Sequence, residues 1–331
     1  MQTTPAIITE SGAIRELPGV NIMLQGASGS GKTHALRTLV DAGLEVFVLF
    51  TEPGMEVLAD TPAEKLHWHY IPPASPDFAD MIASATKINT MNLKMLSDLP
   101  DINKKKYHEF IDVLVSLSNF KDDRTGTEYG PVDLWGDNGS RFWEKPVTIT
   151  GEDLPLQIIP GMETQYKQWQ AETEKWGLTP ENAYGLNRVI VIDSLTGLSL
   201  MAMNLVTGSK PVKNLSDWGI AIDNLERLLI KLCVDTKCHF VLLAHLEREV
   251  DEVTGGTSLM ASTLGRKLAP KLPRFFSDVI HVKTAGGKFT WATATSNVDC
   301  KTRNLPLGDN LAPSFVPVIA SWRKSHANSS T

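Results

Sequence analysis

Cysteine is scarce in this chain: three residues, Cys233, Cys238 and Cys300, among 331. Their spacing fits no zinc motif and they form no even disulfide set, which argues against a disulfide-stapled secreted scaffold. A reducing cytoplasm is the expected compartment. Long apolar runs are missing as well. None approaches the roughly 20 residues of a membrane-spanning helix, so no membrane partner is expected. The opening MQTTPAIITESG has no basic start followed by an apolar core, so no signal peptide is expected there. Basic excess is absent too: 32 Lys and Arg stand against 38 Asp and Glu, a formal charge of −6. That excludes a protein that coats nucleic acid through bulk charge, though not one with a local basic groove. The chain lacks internal repeats and low-complexity tracts. What remains is a globular composition, 42% hydrophobic and 21% charged, long enough for one large domain or two ordinary ones.

One stretch is rich in glycine. Gly26-Ala27-Ser28-Gly29-Ser30-Gly31-Lys32-Thr33 fits G-x-x-x-x-G-K-[ST] in full. Glycines let backbone N–H groups curl around phosphate oxygens without a Cβ in the way. The helix expected from about Lys32 aims its N-terminal dipole at the same anion. In such a loop the lysine reaches the β- and γ-phosphates and the threonine hydroxyl binds Mg²⁺. ATP and Mg²⁺ are therefore the expected cofactors. The context agrees: GVNIMLQ reads as a short apolar strand before the loop. KTHALRTLVDAG has helical spacing with Gly43 as its C-cap, and LEVFVLF is a buried strand. Strand, loop, helix and strand make a parallel βαβ unit.

The next strand of that quality is RVIVIDS, Arg188–Ser194, and its closing Asp193 stands where a Walker B carboxylate belongs. Glu52, just beyond the second strand in FTEPG, is placed to polarise an attacking water at the C-terminal edge of the sheet. Glu247 and Glu249 compete for that role. HFVLLAH reads as a fourth strand, a polar loop is expected from Glu247 to about Pro273, and a hairpin is expected to turn at Gly286-Gly287. A late alternating run, FTWATATSNV, reads as a strand ending in DCKTRN. Lys301 and Arg303 then point to one side, since residues i and i+2 of a strand share a face.

The core is thus expected in residues 1–70 and 187–331. Residues 71–186 form an insertion far longer than an ordinary crossover. Within it INKKKYHEFIDVLVSL places Ile102, Phe110, Ile111, Leu114 and Val115 on one helix face, and Lys104–Lys106 on the wet one. METQYKQWQAETEKW is also helical, and about 121–161 reads as irregular. His67 and His69 in HWHY have no third ligand nearby and read as strand residues.

These pieces in this order resemble the RecA-like P-loop ATPases, over roughly Gly19–Phe50 and Arg188–Pro306. The stretch from HLEREV to FFSDVI is similar to phage-encoded Sak-type single-strand-annealing ATPases. The resemblance implies a three-layer αβα fold with a mainly parallel sheet. It also implies Glu52 as catalytic carboxylate, His245 as the polar sensor ending the fourth strand, and a homo-oligomer. In RecA-like rings, including DnaB-type helicases, a late Lys-x-Arg pair enters the next subunit's nucleotide site; Lys301 and Arg303 match it, and cations there neutralise charge developing on the γ-phosphate. Two loops of such assemblies touch DNA. Here these carry Lys210 and Lys213, and Arg266, Lys267 and Lys271 in GRKLAPKLPR, which has cations and no acid. The implied function is Mg²⁺-dependent ATP hydrolysis in phage recombination on single-stranded DNA. A helicase or helicase-loader motor, and a nucleotide-dependent protein scaffold, are the alternatives.

Overall fold

Four apolar runs alternate with period two, and that alternation decides the architecture. In β1 (Asn21–Gly26), β2 (Glu45–Phe50), Arg188–Asp193 and the first half of His239–Val250, successive side chains enter different cores. Ile22, Leu24, Val46, Val48, Val189, Val191, Val241 and Leu243 share one cluster. Met23, Phe47, Leu49, Ile190, Ile192, Phe240 and Leu242 share the other. A strand buried on both faces needs a layer on each, so the sheet is sandwiched between helices. The computed structural model describes residues 19–99, 104–130, 148–149, 152–153, 157–175, 187–236, 238–250 and 257–327.

In chain order the remaining strands are β3 (Leu66–Tyr70), β4 (Phe120–Lys121), β5 (Glu128–Tyr129), β6 (Thr148–Ile149), β7 (Glu152–Asp153), β8 (Arg188–Asp193), β9 (His239–Val250), β10 (Thr257–Ala261), β11 (Asp278–Ala285) and β12 (Lys288–Ala292). The main sheet runs β12-β11-β1-β9-β8-β2-β3, with β10 paired to β9. Every pairing from β11 to β3 is parallel; β12 and β10 join antiparallel. One face carries the helices Leu195–Thr207 and Leu215–Val234, and the other carries Lys32–Ala35, Arg37–Asp41 and Val316–Ala327. Among the described residues no helix is long and apolar enough to cross a membrane.

Local chemistry explains the helix ends. Gly43 adopts φ +80° after Arg37–Asp41, and its N–H donates to the Val40 carbonyl, as expected of a glycine cap. Leu215–Val234 opens on a capping box between Asn214 and Asp217. The hairpin at Gly286-Gly287 is present, both glycines having positive φ, 57° and 75°.

Several expectations need correction. The helix in the insertion spans Glu109–Ser118 and buries Phe110, Val113 and Leu117, while Ile111, Leu114 and Val115 are exposed. Phe110, Val113 and Leu117 join the core cluster on the Leu195–Thr207 side of the sheet, and that packing selects the inward face; Ile102 lies outside the described residues. Residues 120–130 hold a short hairpin: the two-residue strands β4 and β5 pair around a turn, and Phe120 and Tyr129 pack on Phe47. Residues 131–147 lie outside the described residues. His67 sits between the carboxylates of Glu45, 3.2 Å away, and Asp122, 3.1 Å away. The fourth strand does not stop at His245. It continues to Val250 and pairs with β10, and 265–274 is helical, so the long polar loop is replaced by a hairpin and short helical turns. The late strand ends at Ala292. Lys301 makes a single bridge to Val279, and Arg303 lies in a turn, so the two do not share a strand face.

Candidate active site

Register brings the site together. Gly26 lies opposite His245, and Asp193 lies opposite both Phe50 and Leu243. The C-terminal ends of β1, β9, β8 and β2 therefore reach one edge at one height. In parallel α/β sheets this edge is where ligands bind.

The glycine-rich loop leaves β1 at that edge. Gly29 and Gly31 adopt φ of 71° and 88°, which a side chain would resist. Lys32 is buried, and its Nζ donates to the carbonyls of Gly26 (2.9 Å) and Ala27 (2.8 Å). Burial lowers its pKa to about 8, with Asp193 and Glu52 nearby opposing the shift. Ser30 Oγ is buried with no hydrogen-bond partner among the described residues. Thr33 Oγ1 donates to Asp193 Oδ2 at 2.6 Å, and burial raises the Asp193 pKa above its ordinary value.

Glu52 is held by its neighbour in sequence. Thr51 is fully buried. Its N–H donates to the Asp193 carbonyl at 2.7 Å, and its hydroxyl both accepts from Ser194 N and donates to Ser194 O, each at 2.9 Å. The Asp193–Ser194 peptide is cis. Ser194 then caps Leu195–Thr207 through Thr196 N and Gly197 N. This clasp fastens the end of β2 to the end of β8 and sets Glu52 beside Asp193. Glu52 Oε2 lies 3.0 Å from His245 Nε2, and that hydrogen bond holds its pKa below the ordinary carboxylate value. His245 Nδ1 is 3.4 Å from Lys32 Nζ. Glu247, by contrast, accepts from Ser262 on the β9–β10 hairpin at 2.6 Å.

The other candidate cations lie elsewhere. Lys210 pairs with Asp217 at 3.2 Å and Lys271 with Glu226 at 2.8 Å, so neither ammonium stands free. Lys213 and Lys267 are exposed, Lys213 lying 5.8 Å from the centroid of the Trp218 ring. The Arg266 side chain lies outside the described residues. Lys301 Nζ donates to the Phe276 carbonyl at 2.6 Å, and the backbone N–H of Arg303 donates to Asp278. Asp278 faces Ile22 of β1, four residues before Gly26, so this turn sits toward the opposite edge of the sheet. At about 3.3 Å per residue, that is ~13 Å below the loop. Neither cation joins its own chain's site.

Two contacts had no sequence signal. A Cβ on Gly31 would come within 2.9 Å of the Phe289 ring, so β12 covers one side of the loop. The Thr51–Ser194 clasp joins polar residues that look like ordinary strand ends.

Positive-φ glycines, an unpartnered Ser30 hydroxyl, a buried lysine and a Thr33–Asp193 pair fit a nucleotide's phosphates with Mg²⁺. Lys32 and the loop N–H groups would hold the phosphates; Thr33 and Asp193 would hold the metal shell. Fold and site define a P-loop nucleotide-binding ATPase. Residues 19–304 match the family of the AAA domain, and the chain belongs to it. Membership implies a nucleotide-dependent ATPase, which typically binds its nucleotide with Mg²⁺. The chain matches no curated protein.

Proposed function

We propose that the chain is a RecA-like ATPase that hydrolyses ATP as a homo-oligomer and acts on single-stranded DNA in phage recombination, in the host cytoplasm. The observation that carries this reading is the origin of the carboxylate beside the phosphate loop. It comes from Glu52 at the tip of β2, the strand adjoining β8, while the residue after Asp193 is Ser194. That division of labour, with His245 reporting from β9, supports the RecA-like arrangement.

In this mechanism Glu52 accepts a proton from water as the water oxygen bonds to the γ-phosphorus and the bond to the bridging oxygen breaks, giving ADP and phosphate. Its depressed pKa keeps it ionised at neutral pH. Bound Mg²⁺ supplies charge neutralisation on the phosphate oxygens. Lys32 exchanges its loop carbonyls for phosphate oxygens. His245 bridges Glu52 through Nε2 and Lys32 through Nδ1, which couples the γ-phosphate position to β9. Charge on the γ-phosphate still calls for a further cation. Arg303, exposed in a turn toward the opposite edge of the sheet from its own site, supports delivery from a second copy. Exposed Lys213 and Lys267 are the DNA contacts this reading retains.

The test is ATP hydrolysis with and without single-stranded DNA, at low and moderate salt, with Lys32→Ala as the blank. Strong, salt-sensitive stimulation is expected. Hydrolysis indifferent to DNA, with no DNA binding in ATP, would overturn the DNA reading. It would favour a protein partner for the insertion, where the helix Phe78–Thr90 exposes Phe78, Met81 and Ile82.

A further inference from the structure

Asp278 is fully buried at the first position of β11. Burial of a carboxylate is costly unless its lone pairs are taken up by donors. Five polar groups converge here. Thr302 Oγ1 (3.0 Å), Arg303 N (2.9 Å) and Asn304 N (3.1 Å) donate to Oδ1. Asn304 Nδ2 (2.7 Å) donates to Oδ2, and Ser277 Oγ lies 2.9 Å from Oδ2 while its one proton also has the Asn21 carbonyl at 2.7 Å. None of the five is a cation, and four of them belong to three consecutive residues.

The same turn is closed on both sides. Lys301 exchanges backbone hydrogen bonds with Val279, and its ammonium is tied to the Phe276 carbonyl. The Leu305 N–H donates to Thr302 Oγ1 at 2.9 Å, and that hydroxyl also lies 3.0 Å from the Leu305 carbonyl. Within this knot one polar group is left out. The Arg303 side chain is exposed, and among the described residues no hydrogen bond or ion pair takes up its guanidinium. These neutral groups around one carboxylate fix the backbone beneath the exposed Arg303.

We propose that Asp278 is the positioning residue for Arg303: it sets residues 301–304 into a rigid turn that presents the guanidinium to the nucleotide site of a second copy of this chain. The assignment rests on the reading that Arg303 acts in a neighbour's site. It also divides the Lys-x-Arg pair. Lys301 anchors the turn through Phe276, and Arg303 alone reaches the γ-phosphate. A cation misplaced by about 1 Å loses roughly 10²-fold in rate, so a turn held by one buried carboxylate is a sensitive control point.

Asp278→Asn keeps the shape of the side chain but sets an amide against donors. The expected result is a fall in kcat of about 10–100-fold with KM for ATP little changed, because the phosphate loop is untouched. Arg303→Ala should fall further, by about 10³-fold. Mixing separates the roles. Glu52→Gln has a silent site and an intact turn. Combined with Asp278→Asn, it should restore hydrolysis about tenfold over either alone, because each Asp278→Asn site receives a sound Arg303 from its neighbour. Asp278→Asn mixed with Arg303→Ala should restore nothing. If Asp278→Asn fails to fold by circular dichroism, Thr302→Val/Asn304→Ala, which removes two of the donors, carries the same tests.

The outcomes are distinct. Wild-type hydrolysis by Arg303→Ala would overturn the neighbour-site reading and the role of Asp278 with it. Loss in Arg303→Ala, rescue by Glu52→Gln, and normal kcat in both turn variants would overturn the role of Asp278 alone. A folded, inactive Asp278→Asn that Glu52→Gln cannot rescue would show that Asp278 acts within its own chain, which also overturns the proposal.

Discussion

His245 stands between Lys32 and Glu52, 3.4 Å from the Lys32 ammonium through Nδ1 and 3.0 Å from the Glu52 carboxylate through Nε2. A neutral imidazole satisfies both contacts, accepting at Nδ1 and donating at Nε2. The three residues come from different parts of the chain and form one hydrogen-bonded line across the site. Removing the carboxylate should therefore stop chemistry and leave binding. Glu52→Gln is expected to lower kcat by about 10²–10⁴-fold while ATP affinity, measured by titration calorimetry, stays within a few-fold of wild type. Loss of affinity equal to the loss of kcat would place Glu52 in binding instead.

Lys32 should make nucleotide binding proton-linked. Burial holds its pKa at about 8 before ligand arrives, and an anion beside it favours the charged form. At pH 8 the group is therefore partly deprotonated, and binding ATP pulls a proton from solution. At pH 6.5 it is already charged and little uptake is expected from it. Calorimetry in buffers of different ionisation enthalpy should show uptake at pH 8 that shrinks as pH falls. Uptake that is absent at both values would contradict the depressed pKa.

The Thr33–Asp193 pair sets the metal requirement. Asp193→Asn should raise the Mg²⁺ concentration for half-maximal hydrolysis by about 10–100-fold, as loss of an outer-sphere carboxylate typically does. A Mg²⁺ titration of turnover at saturating ATP measures this. An unchanged midpoint would remove Asp193 from the metal shell.

Gly197 has no room for a side chain. A Cβ there would lie 2.4 Å from Thr51 Oγ1 and 2.7 Å from the Thr51 carbonyl. Gly197→Ala should cost about 1–3 kcal/mol in denaturant unfolding and loosen the clasp that places Glu52. Stability equal to wild type would show that the clasp yields without cost.

The two exposed lysines should dominate any contact with DNA. The double change Lys213→Ala/Lys267→Ala is expected to weaken single-strand binding and flatten the slope of log affinity against log salt by about 0.7 per lysine. Lys210→Ala and Lys271→Ala should leave the slope unchanged, because those ammonium groups are held by Asp217 and Glu226. A slope that drops with the paired lysines instead would reverse this assignment.

Much of this was readable along the chain. The phosphate loop announces itself because its chemistry is local: glycines, a lysine and a threonine at fixed spacing dictate a backbone that cradles anions. The strands Asn21–Gly26, Glu45–Phe50 and Arg188–Asp193 were legible because continuous apolar runs can only be buried on both faces. Asp193 and Glu52 followed from their positions at strand ends. Where long elements depended on their partners, the reading failed. β9 looks finished at His245, since LEREV is polar, yet pairing with β10 extends it to Val250. The helix Glu109–Ser118 has apolar residues on more than one face, and only its packing neighbours chose Phe110, Val113 and Leu117.

The sequence by itself determined the class of this protein: a parallel sheet, a phosphate loop, and carboxylates at the edge where that loop emerges. Only the tertiary structure decided which charges have partners. Glu52 meets His245 across 193 residues of chain, and Thr33 meets Asp193 across 160. Lys210 and Lys271 are paired with acids on the helix Leu215–Val234, Lys301 is tied to a carbonyl, and Arg303 is exposed beside a buried Asp278. A cation's availability depends on the carboxylates and carbonyls that folding brings within about 3 Å, and spacing along the chain does not encode that distance.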